Sequence, residues 1–460
     1  MKKKEKKTII GIIKLPMSHF SGINQEVHNY MTQEVPDSLK SCNSAQAIKA
    51  RNRVFQVSST SQSQNSGGVV LFNLPPSNYS ISKGTMALRM RVTATGTGMV
   101  AGAATVASFQ GPGYLGAATN YATQFGNAYS VFQRMTLYGS NSSILEQINY
   151  AGDQMNLLLL HNSNQQYLAT DAGLLLGVSA PFYPTATTSS FIDVVVPLPF
   201  AAFQSATQDW PMYLMSSPLT IQLDLASVAR AIFAGSGTTV SEYTISNTYL
   251  VYQAVELPSA YVEAERTAVR THPFIMPLTS SLNVQVPESI LTSYTLGLNA
   301  SSVRAVFVLP SNGASYAAGT QLEYIRSGTD GASYSGSGVN AIVFVDGNQV
   351  NSAIFDTPTM QFQGLKNALH HNLQASILYP SALAGGGSSP LSSYVTDCFA
   401  LGFDLTSFDS ESSLFAGTPC TNINLQLTGL SANATYLSTI IVIYDVLLAI
   451  EADGTCQVKR

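Results

Sequence analysis

The most informative stretch of the chain is Leu219-Thr-Ile-Gln-Leu-Asp-Leu225, because its pattern returns as Thr421-Asn-Ile-Asn-Leu-Gln-Leu427. Apolar and polar residues alternate in both stretches, and Ile, Leu and Leu occupy the same positions 202 residues apart. Strict alternation predicts a strand with one face in a core, since successive side chains of a strand point to opposite faces. A proline precedes each stretch, at Pro218 and Pro419. Two equivalent strands are therefore expected.

A second match lies earlier in both parts of the chain. Met135-Thr-Leu-Tyr-Gly139 corresponds to Val343-Phe-Val-Asp-Gly347, and each is followed by a polar stretch and a helical segment. These segments end in His161-Asn162 and His371-Asn372, so the offsets of 208 and 210 residues agree within two. The order of strand, polar stretch and helix is the same in both copies.

A third match lies near the end of each copy. Leu250-Val-Tyr-Gln-Ala-Val-Glu-Leu257 resembles Val442-Ile-Tyr-Asp-Val-Leu-Leu-Ala449, with Tyr252 and Tyr444 192 residues apart. Three collinear matches predict an internal duplication, a feature that determines the whole architecture where it occurs. The alternative is that unrelated strands of one large β-sandwich resemble one another by chance.

Short alternating or β-branched runs between turn-forming residues predict an all-β protein. The runs are Val69–Leu74, Met86–Val92, Phe191–Leu198, Leu219–Leu225, Tyr249–Leu257, Val303–Leu309, Ala341–Val345, Cys398–Leu405, Ile423–Leu427 and Ile440–Ile450. Helical periodicity predicts helices only at Asp153–Leu160, Ser259–Arg270 and Gln361–Leu369. Long surface loops rich in Gly, Ser and Ala are expected at Gly111–Gln124, Ala231–Ser246, Ser311–Val339 and Ser381–Ser392.

The length of 460 residues predicts two domains, because single cores stop growing at about 250–300 residues. The last strand of the first copy ends at Leu257, and a charged segment with Glu263 and Arg266 follows. This segment is expected to be a helical linker with Ser259 as its N-cap. The predicted divisions are a basic N-terminal arm at 1–49, a first β-sandwich at 50–258, the linker at 259–271, a second β-sandwich at 272–452 and a C-terminal tail at 453–460.

Charged residues are scarce and unevenly placed. They make up 10% of the chain, against about 25% in ordinary globular domains. Such a surface suits coverage by neighbouring subunits, because interface cores are depleted in Lys, Glu and Asp. Glu5 is the only acid among the first lysines, so the arm is either a solvated segment or a contact for nucleic acid or anionic lipid. The candidate contact residues on the inner face are Lys2, Lys3, Lys4, Lys6, Lys7 and Lys14.

Two apolar runs are long enough to be compared with targeting or membrane segments. Ile9 to Ile13 is shorter than the about 7–15 residues of a signal-peptide core, so the N-terminal segment is expected to be retained. Ile440 to Ile450 is too short for a transmembrane helix and contains Asp445. Neither run therefore predicts export or membrane insertion.

The sequence contains no GxxxxGK[ST], HExxH or GxSxG motif, so the strong enzyme motifs are missing. His161, His370 and His371 lie near predicted helix ends, where interaction with the helix dipole is favoured over metal binding. No catalytic residue, cofactor or metal is expected. The absence of CxxC spacing predicts reduced thiols at Cys42, Cys398, Cys420 and Cys456.

The duplicated chain resembles the double jelly-roll major capsid proteins of the adenovirus hexon and PRD1 lineage, with relatives among polinton-like viruses, virophages and tailless phages. The resemblance covers residues 50–452 as architecture and is diffuse as motifs. It implies an all-β fold of two tandem jelly-roll β-sandwiches with short helices and long loops. The resemblance rests on three features. They are the duplication, the stretch from Ala128-Tyr-Ser-Val-Phe132 through Leu137-Tyr-Gly139 to the helix near Met155, and the strands Tyr249–Leu257 and Ile440–Ile450.

The resemblance also implies a function. Members of this lineage are structural proteins that form homotrimers, and the six barrels of a trimer make a pseudo-hexagonal capsomer of an icosahedral shell around double-stranded DNA. The implied partners are further copies of the chain, penton and minor capsid proteins, and an internal membrane or the genome through the N-terminal arm. The implied location is the virion, assembled inside the host cell.

Two other functions stay open at this point. A secreted or surface β-sandwich that binds carbohydrate or acts as an adhesin should carry an export signal and a binding face rich in aromatic and acidic residues, and neither is clear in the sequence. A glycoside hydrolase on a jelly-roll scaffold would need two carboxylates about 5–10 Å apart in a cleft. The sequence alone does not exclude that arrangement.

Overall fold

The strands of the chain divide at a helix near residue 260 into two sets that do not pair with each other within the described residues. The computed structural model describes residues 51–99, 107–112, 126–163, 167–178, 180–204, 208–235, 237–287, 291–311, 340–350, 357–373, 394, 399–406, 417–428 and 437–459. We refer to residues 51–258 as the first half and to residues 272–459 as the second half. Both belong to one compact unit, Lys49–Arg460.

The first half contains strands β1 to β14. Their bounds are Arg51–Ser58, Ser63–Asn65, Val69–Leu74, Tyr79–Ile81, Ala87–Thr97, Ala107–Phe109, Phe132–Tyr138, Ile144–Asn149, Tyr183–Ala186, Ser189–Pro197, Trp210–Pro211, Leu219–Leu225, Ile232–Ala234 and Thr239–Glu256. Its α-helices α1 to α4 span Ala151–Asn162, Gly173–Leu176, Ala201–Gln204 and Val228–Ala231. Short 3₁₀ and π turns lie at Ala128–Val131, Ser140–Ser142, Leu168–Ala172 and Met212–Leu214.

Helix α5, Ser259–Thr271, leads into the second half. Strands β15 to β22 span Phe274–Pro287, Leu291–Ser311, Asn340–Val345, Asn348–Gln349, Leu401–Asp404, Thr418–Thr428, Leu437–Ile450 and Cys456–Lys459. Helix α6 spans Pro358–Leu373. Residues 453–460, set apart from the sequence as a tail, thus include the strand β22, which pairs with β21.

The first half has the strand order of a jelly roll. One sheet contains the neighbours β1, β14, β5 and β10, and the other contains β3, β12, β7 and β8. Every pairing is antiparallel, and strands that are distant in sequence lie side by side. This alternation between two facing sheets is how a jelly roll buries one face of each strand.

The second half has the same strand order, except that one long strand takes the place of two. Strand β16 replaces both β3 and β5: its first part pairs with β20 and its last part with β21 and β19. Register shifts at Gly297, Ala300 and Val303 mark bulges between the two parts, and bulges let one strand bend from one sheet into the other. The orders are therefore β15, β21, β16, β19 and β16, β20, β17, β18.

The pairing register confirms the internal duplication at single-residue precision. Leu223 lies opposite Met135 in the first half, and Leu425 lies opposite Val343 in the second. The sequence repeat aligns these same residues with each other, since Leu223 matches Leu425 and Met135 matches Val343. Chance similarity between unrelated strands would not preserve which residue faces which across the ladder.

The core follows from the alternation that the sequence shows. In β12 the four apolar side chains are buried and the polar ones between them are half-buried. Burial of each such Leu or Ile contributes about 1.5–3 kcal/mol relative to exposure. Trp210 is fully buried against Phe203, with ring centroids 5.6 Å apart. The buried residues of both halves form one continuous apolar cluster.

The predicted helices are confirmed as α1, α5 and α6, but two details are wrong. Helix α5 is capped by Pro258 and receives no side-chain cap, because Ser259 already has helical geometry. The segment 231–246 is not one long loop, since it contains β13 and the start of β14. The other three predicted loops lie almost wholly outside the described residues.

Candidate functional site: the polar junction between the halves

The two halves meet through polar side chains. Strand β8 and helices α1 and α4 of the first half face strands β15 and β21 of the second half. We call this contact the polar junction. Together with the apolar cluster that is continuous through both halves, it holds the two sandwiches together.

Two asparagines form the centre of the polar junction. The Asn283 side-chain amide donates to the Asn149 carbonyl oxygen at 2.8 Å, and the Asn149 amide donates to the Asn283 carbonyl oxygen at 3.3 Å. Gln154 Oε1 accepts from Asn283 Nδ2 at 3.0 Å and from Ser281 Oγ at 3.2 Å. Because each bond joins one half to the other, sliding of the two surfaces would leave several buried polar groups without partners.

An ion pair extends the junction to one side. Arg230 Nη2 donates to Asp153 Oδ2 at 3.0 Å, with both side chains largely buried. The same carboxylate oxygen accepts from Thr439 Oγ1 of the second half at 2.8 Å, and Arg230 Nη1 donates to Gln285 Oε1 at 3.2 Å. The guanidinium also lies 4.4 Å from the centroid of the Tyr150 ring. Charged groups this buried are tolerated only when hydrogen bonds satisfy them.

A lysine of the second half contacts the end of helix α1. Lys366 Nζ donates to the His161 carbonyl oxygen at 2.7 Å, where the helix leaves its last carbonyl groups without helical partners. Lys366 is buried, and desolvation lowers its pKa. The His161 ring is also buried and lies edge-on to Tyr394, at 6.3 Å between centroids. This histidine therefore belongs to the interior, and helix α1 is tied to helix α6.

The C-terminal residues bind back to the first half. The Ser216 amide donates to the Gly454 carbonyl oxygen at 3.1 Å, and Ser143 Oγ donates to the Cys456 carbonyl oxygen at 3.3 Å. Gly454 has a φ of +78°, and a Cβ atom there would lie 2.6 Å from the Ser216 nitrogen. Only glycine fits that position, so this turn is a built contact between the halves.

A buried carboxylate holds three strands of the second half together. Asp445 accepts from Arg304 Nε at 2.8 Å, from Ser302 Oγ at 2.7 Å and from Thr279 Oγ1 at 3.1 Å. These partners lie on β16 and β15, the two neighbours of β21. Asp445 is therefore a structural residue with its acceptor capacity in use.

The cavity that lies among the residues of the polar junction is too small for a small-molecule ligand. A cavity of about 10 Å³ lies beside Asp153 and Arg230, room for about one water molecule. Small-molecule sites occupy about 300–1,000 Å³. Within the described ranges, no three His, Cys, Asp or Glu side chains are grouped as metal ligands. No described helix is both long and apolar enough to cross a bilayer.

Glu146 is a functional candidate that the sequence analysis missed. It is fully buried on β8 and accepts hydrogen bonds from the Ala201 and Ala202 amides, at 2.9 and 3.4 Å, where helix α3 begins. Burial raises its pKa to about 7, and the two amide bonds oppose that shift. Strand β8 reads Ile-Leu-Glu-Gln-Ile-Asn, so its sequence does not distinguish Glu146 from a solvated polar residue. Side chains of one strand alternate between its two faces. Whether Glu146 is buried therefore depends on what covers its face, and here helix α3 covers it.

Two of the four cysteines lie within the described residues, and the lysines of the N-terminal arm do not. Cys420 and Cys456 are buried free thiols, as predicted, and burial raises the pKa of Cys420 to about 11. Cys42 and Cys398 lie outside the described residues. So do the six candidate contact lysines, Lys2, Lys3, Lys4, Lys6, Lys7 and Lys14.

We predict that Asp153→Ala lowers the free energy of unfolding by about 3–5 kcal/mol, because Arg230 then stays buried without its anion. Urea denaturation with linear extrapolation measures the change. Asp193→Ala is the matched control, since Asp193 pairs with Arg91 at 2.8 Å on the exposed surface and should cost at most about 1 kcal/mol. Equal costs for the two variants would contradict a stabilising role for the junction.

We predict that Glu146→Gln removes a pH dependence of stability. The folded-state pKa of about 7 exceeds the ordinary value of 4.5, so the contribution of Glu146 is complete below pH 4.5 and is lost as pH rises through 7. The unfolding free energy of Glu146→Gln minus that of the parent should therefore rise between pH 4.5 and pH 7.5, by on the order of 3 kcal/mol.

Asp193→Asn is the control for that titration. Its hydrogen bond with Arg91 lowers the pKa of Asp193, so its contribution is present above the ordinary pKa and is lost as pH falls. The two variants should deviate from the parent chain in opposite pH directions. A flat difference between Glu146→Gln and the parent would show that Glu146 titrates as an exposed carboxylate.

Comparison with known proteins gives no match by sequence and several by fold. No family model matches the sequence, and no curated protein is similar to it. VP54 of PBCV-1, a crystal structure fitted into a reconstruction of the virophage Sputnik, has a TM-score of 0.54 and 12% identity, with 90% of this chain and 98% of that chain covered. The mavirus major capsid protein has a TM-score of 0.50 and 13% identity, covering 99% and 97%.

The cryo-EM structure of the Sputnik virophage is a further match, with a TM-score of 0.52, 12% identity and coverage of 91% of this chain and 90% of that chain. These neighbours are double jelly-roll capsid proteins of icosahedral viruses. The matches extend over both halves and leave little of either chain uncovered. The chain therefore has the double jelly-roll fold of these viral major capsid proteins.

Proposed function

We propose that the chain is a structural major capsid protein that forms trimeric, pseudo-hexagonal capsomers of an icosahedral virus shell. The observation that carries the proposal is the repeated jelly-roll order on the two sides of the polar junction. The similarity to viral capsid proteins over 90–98% of their length supports it, because the chain has the whole of their architecture. The proposed location is the virion, after assembly in the host cell.

The proposed mechanism is geometric. Two equivalent sandwiches in one chain allow three chains to place six similar sandwiches around a threefold axis, so a closed trimer can pack with its neighbours as a hexagon does. The junction matters here because it keeps the two sandwiches of each chain at one angle. The scarcity of charge limits repulsion between identical neighbours, and lateral contacts would consist of many modest hydrogen bonds.

The alternatives have less support. A sugar-binding protein or a glycoside hydrolase needs a cleft, and the cavity beside Asp153 holds only about one water molecule. The buried carboxylates Asp153 and Asp445 are paired with Arg230 and Arg304, so neither is available as a catalytic acid or nucleophile. A structural role therefore fits the described residues better than an enzymatic or adhesive one.

We propose in addition that the basic arm faces the interior of the shell. The six lysines Lys2, Lys3, Lys4, Lys6, Lys7 and Lys14 give the arm a positive charge, whereas the whole chain has a formal charge of −4. An anionic membrane surface or a double-stranded DNA genome would attract such a segment. Penton and minor capsid proteins are the other proposed partners.

The purified full-length chain is expected to be a trimer. Size-exclusion chromatography with light scattering should give the mass of three 48.9 kDa chains, about 147 kDa, and electron microscopy should show hexagonal outlines. The physical reason is that one chain supplies two of six equivalent positions. A stable single chain that binds glycan arrays would instead support the adhesin.

Deletion of residues 1–22 is expected to leave the trimer intact and to impair particle assembly, because the arm is proposed to act on the interior of the shell. Light scattering checks the first result, and counts of closed particles by electron microscopy check the second. Replacement of the six lysines by glutamine is the matched control for charge alone. Loss of soluble trimer on deletion would mean that the arm is part of the fold.

A further inference from the structure

Strand β22 takes the same place in the second half as β4 takes in the first. The last long strand of the first half, β14, pairs with β5 and then, at residues 254–256, with β4. The last long strand of the second half, β21, pairs with β16 and then, at residues 447–450, with β22. The offset of 192 residues between Tyr252 and Tyr444 aligns the first stretch with residues 446–448, which overlap the second. The two short strands therefore continue equivalent ladders.

The two short strands come from different parts of the chain. Strand β4 lies between β3 and β5, inside the first sandwich. In the second half the single strand β16 takes the place of β3 and β5, and β22 follows β21 through the turn at 451–455. Residues 451–459, which we call the strap, therefore come after both sandwiches in the sequence. Among the described strands β22 pairs only with β21, so it can leave the sheet without breaking any other strand pairing.

The strap docks on the first half between two segments. The Gly454 carbonyl oxygen accepts from the Ser216 amide at 3.1 Å and from Ser140 Oγ at 3.4 Å. The Cys456 carbonyl oxygen accepts from Ser143 Oγ at 3.3 Å, and the Cys456 side chain is buried. Ser140 and Ser143 precede β8, and Ser216 precedes β12. The strap therefore connects a sheet of the second half to two segments of the first.

The strap is held in shape by its own contacts. Asp453 Oδ1 accepts from the Thr455 amide at 2.9 Å and from Thr455 Oγ1 at 2.6 Å. Glu451 pairs with Lys459 at 2.9 Å on the two sides of the turn. These bonds favour the hairpin shape whether or not the turn is docked, so docking orders few further residues.

The strap contacts β8 at the opposite end from the two asparagines of the polar junction. Ser143 lies just before β8 and Asn149 is its last residue, so the two contacts are about 20 Å apart along the strand, at about 3.3 Å per residue. One localised contact permits rotation about itself, whereas two separated contacts do not. The strap therefore restricts a motion that the bonds between Asn149 and Asn283 leave possible.

We propose that the strap docks after both sandwiches have folded, opens and closes as one unit, and in its closed state stops the halves from pivoting about the polar junction. The proposal concerns a single chain and does not depend on the proposed function. When the strap is open, both sandwiches and the bonds between Asn149 and Asn283 remain, and the beginning of β8 separates from the second half. Short segments with few buried contacts are the parts of a folded protein that open in this way.

Hydrogen exchange of the full-length chain, resolved to single amides by mass spectrometry with electron-transfer fragmentation, tests the proposal. Gly454→Ala should undock the strap, because the added Cβ atom would lie 2.6 Å from the Ser216 nitrogen. The Ser216 amide and the amides of β22 should then exchange at least about tenfold faster, since they lose their hydrogen bonds. The amides at the beginning of β8 should also exchange faster, because they lose the cover of the second half. The amides beside Asn149 and those of β12 and β20 should exchange as in the parent chain.

Gly347→Ala is the matched control. Gly347 and Gly454 both follow an aspartate in a hairpin turn of the second half, and both have a positive φ, +82° and +78°. An alanine therefore meets similar backbone strain at either position. A Cβ atom at Gly347 would meet no described atom within 4 Å, so this variant should exchange like the parent chain at Ser216 and in β8.

Ser216→Pro tests the same contact from the first half, because proline has no amide hydrogen to donate. Met215 has a ψ of 140°, the extended backbone that a residue before proline favours, so the change suits the local fold. This variant should accelerate exchange in β22 and at the beginning of β8, as Gly454→Ala does. The double variant should add little to either single change, since both break one contact.

Other exchange patterns would overturn the proposal. Acceleration confined to Ser216 and β22 would show that the strap does not hold β8 in place. Equal acceleration in Gly347→Ala would attribute the effect to backbone strain. Acceleration in β12 and β20 would show that the contact belongs to the folding core and that the strap does not open as a separate unit. Exchange like that of the parent chain in Ser216→Pro would show that Gly454→Ala acts through another contact.

Discussion

The reciprocal hydrogen bonds between Asn149 and Asn283 are the interaction on which the rest of the molecule depends. They join the two sandwiches, and with Gln154 and the Asp153–Arg230 pair they favour one relative position. Apolar contacts tolerate sliding, whereas unpaired buried amides cost about 1–3 kcal/mol each. In the proposed capsomer this contact would limit angular error between sandwiches, which would otherwise accumulate around the ring.

The polar junction contributes more to the relative orientation of the two halves than to the free energy of folding. A buried ion pair is often no more stabilising than apolar residues of the same volume, since both ions lose their hydration. The apolar layers on either side, one continuous cluster through both halves, supply most of the folding free energy. Glu146 beside this region is a further cost, because its burial opposes ionisation at neutral pH. The structure therefore combines ordinary sandwich cores with a polar contact that defines orientation.

The duplicated halves have diverged without changing strand order. In the first half β3 and β5 are separate strands, and in the second the single strand β16 bends through bulges to serve both sheets. The period-2 pattern of burial holds in the first part of β16, residues 293–302, whereas residues 305–311 are buried on both faces. The pattern also explains why the repeat could be found from sequence: Ile221 and Ile423 are both fully buried, and burial favours an apolar side chain at each position.

The sequence by itself determined the ten strands with the clearest alternation, the three longer helices and the repeat, because alternation and helical periodicity are local consequences of which face is buried. Strands β1, β15 and β22 were not predicted. Only the tertiary structure decided that Asn149 meets Asn283, that Lys366 reaches the end of helix α1, and that Glu146 is buried. The spacing of polar residues in the sequence is the same for a solvated face and for a buried polar contact. Their partners lie more than 50 residues away, so the packing of the halves assigns their roles.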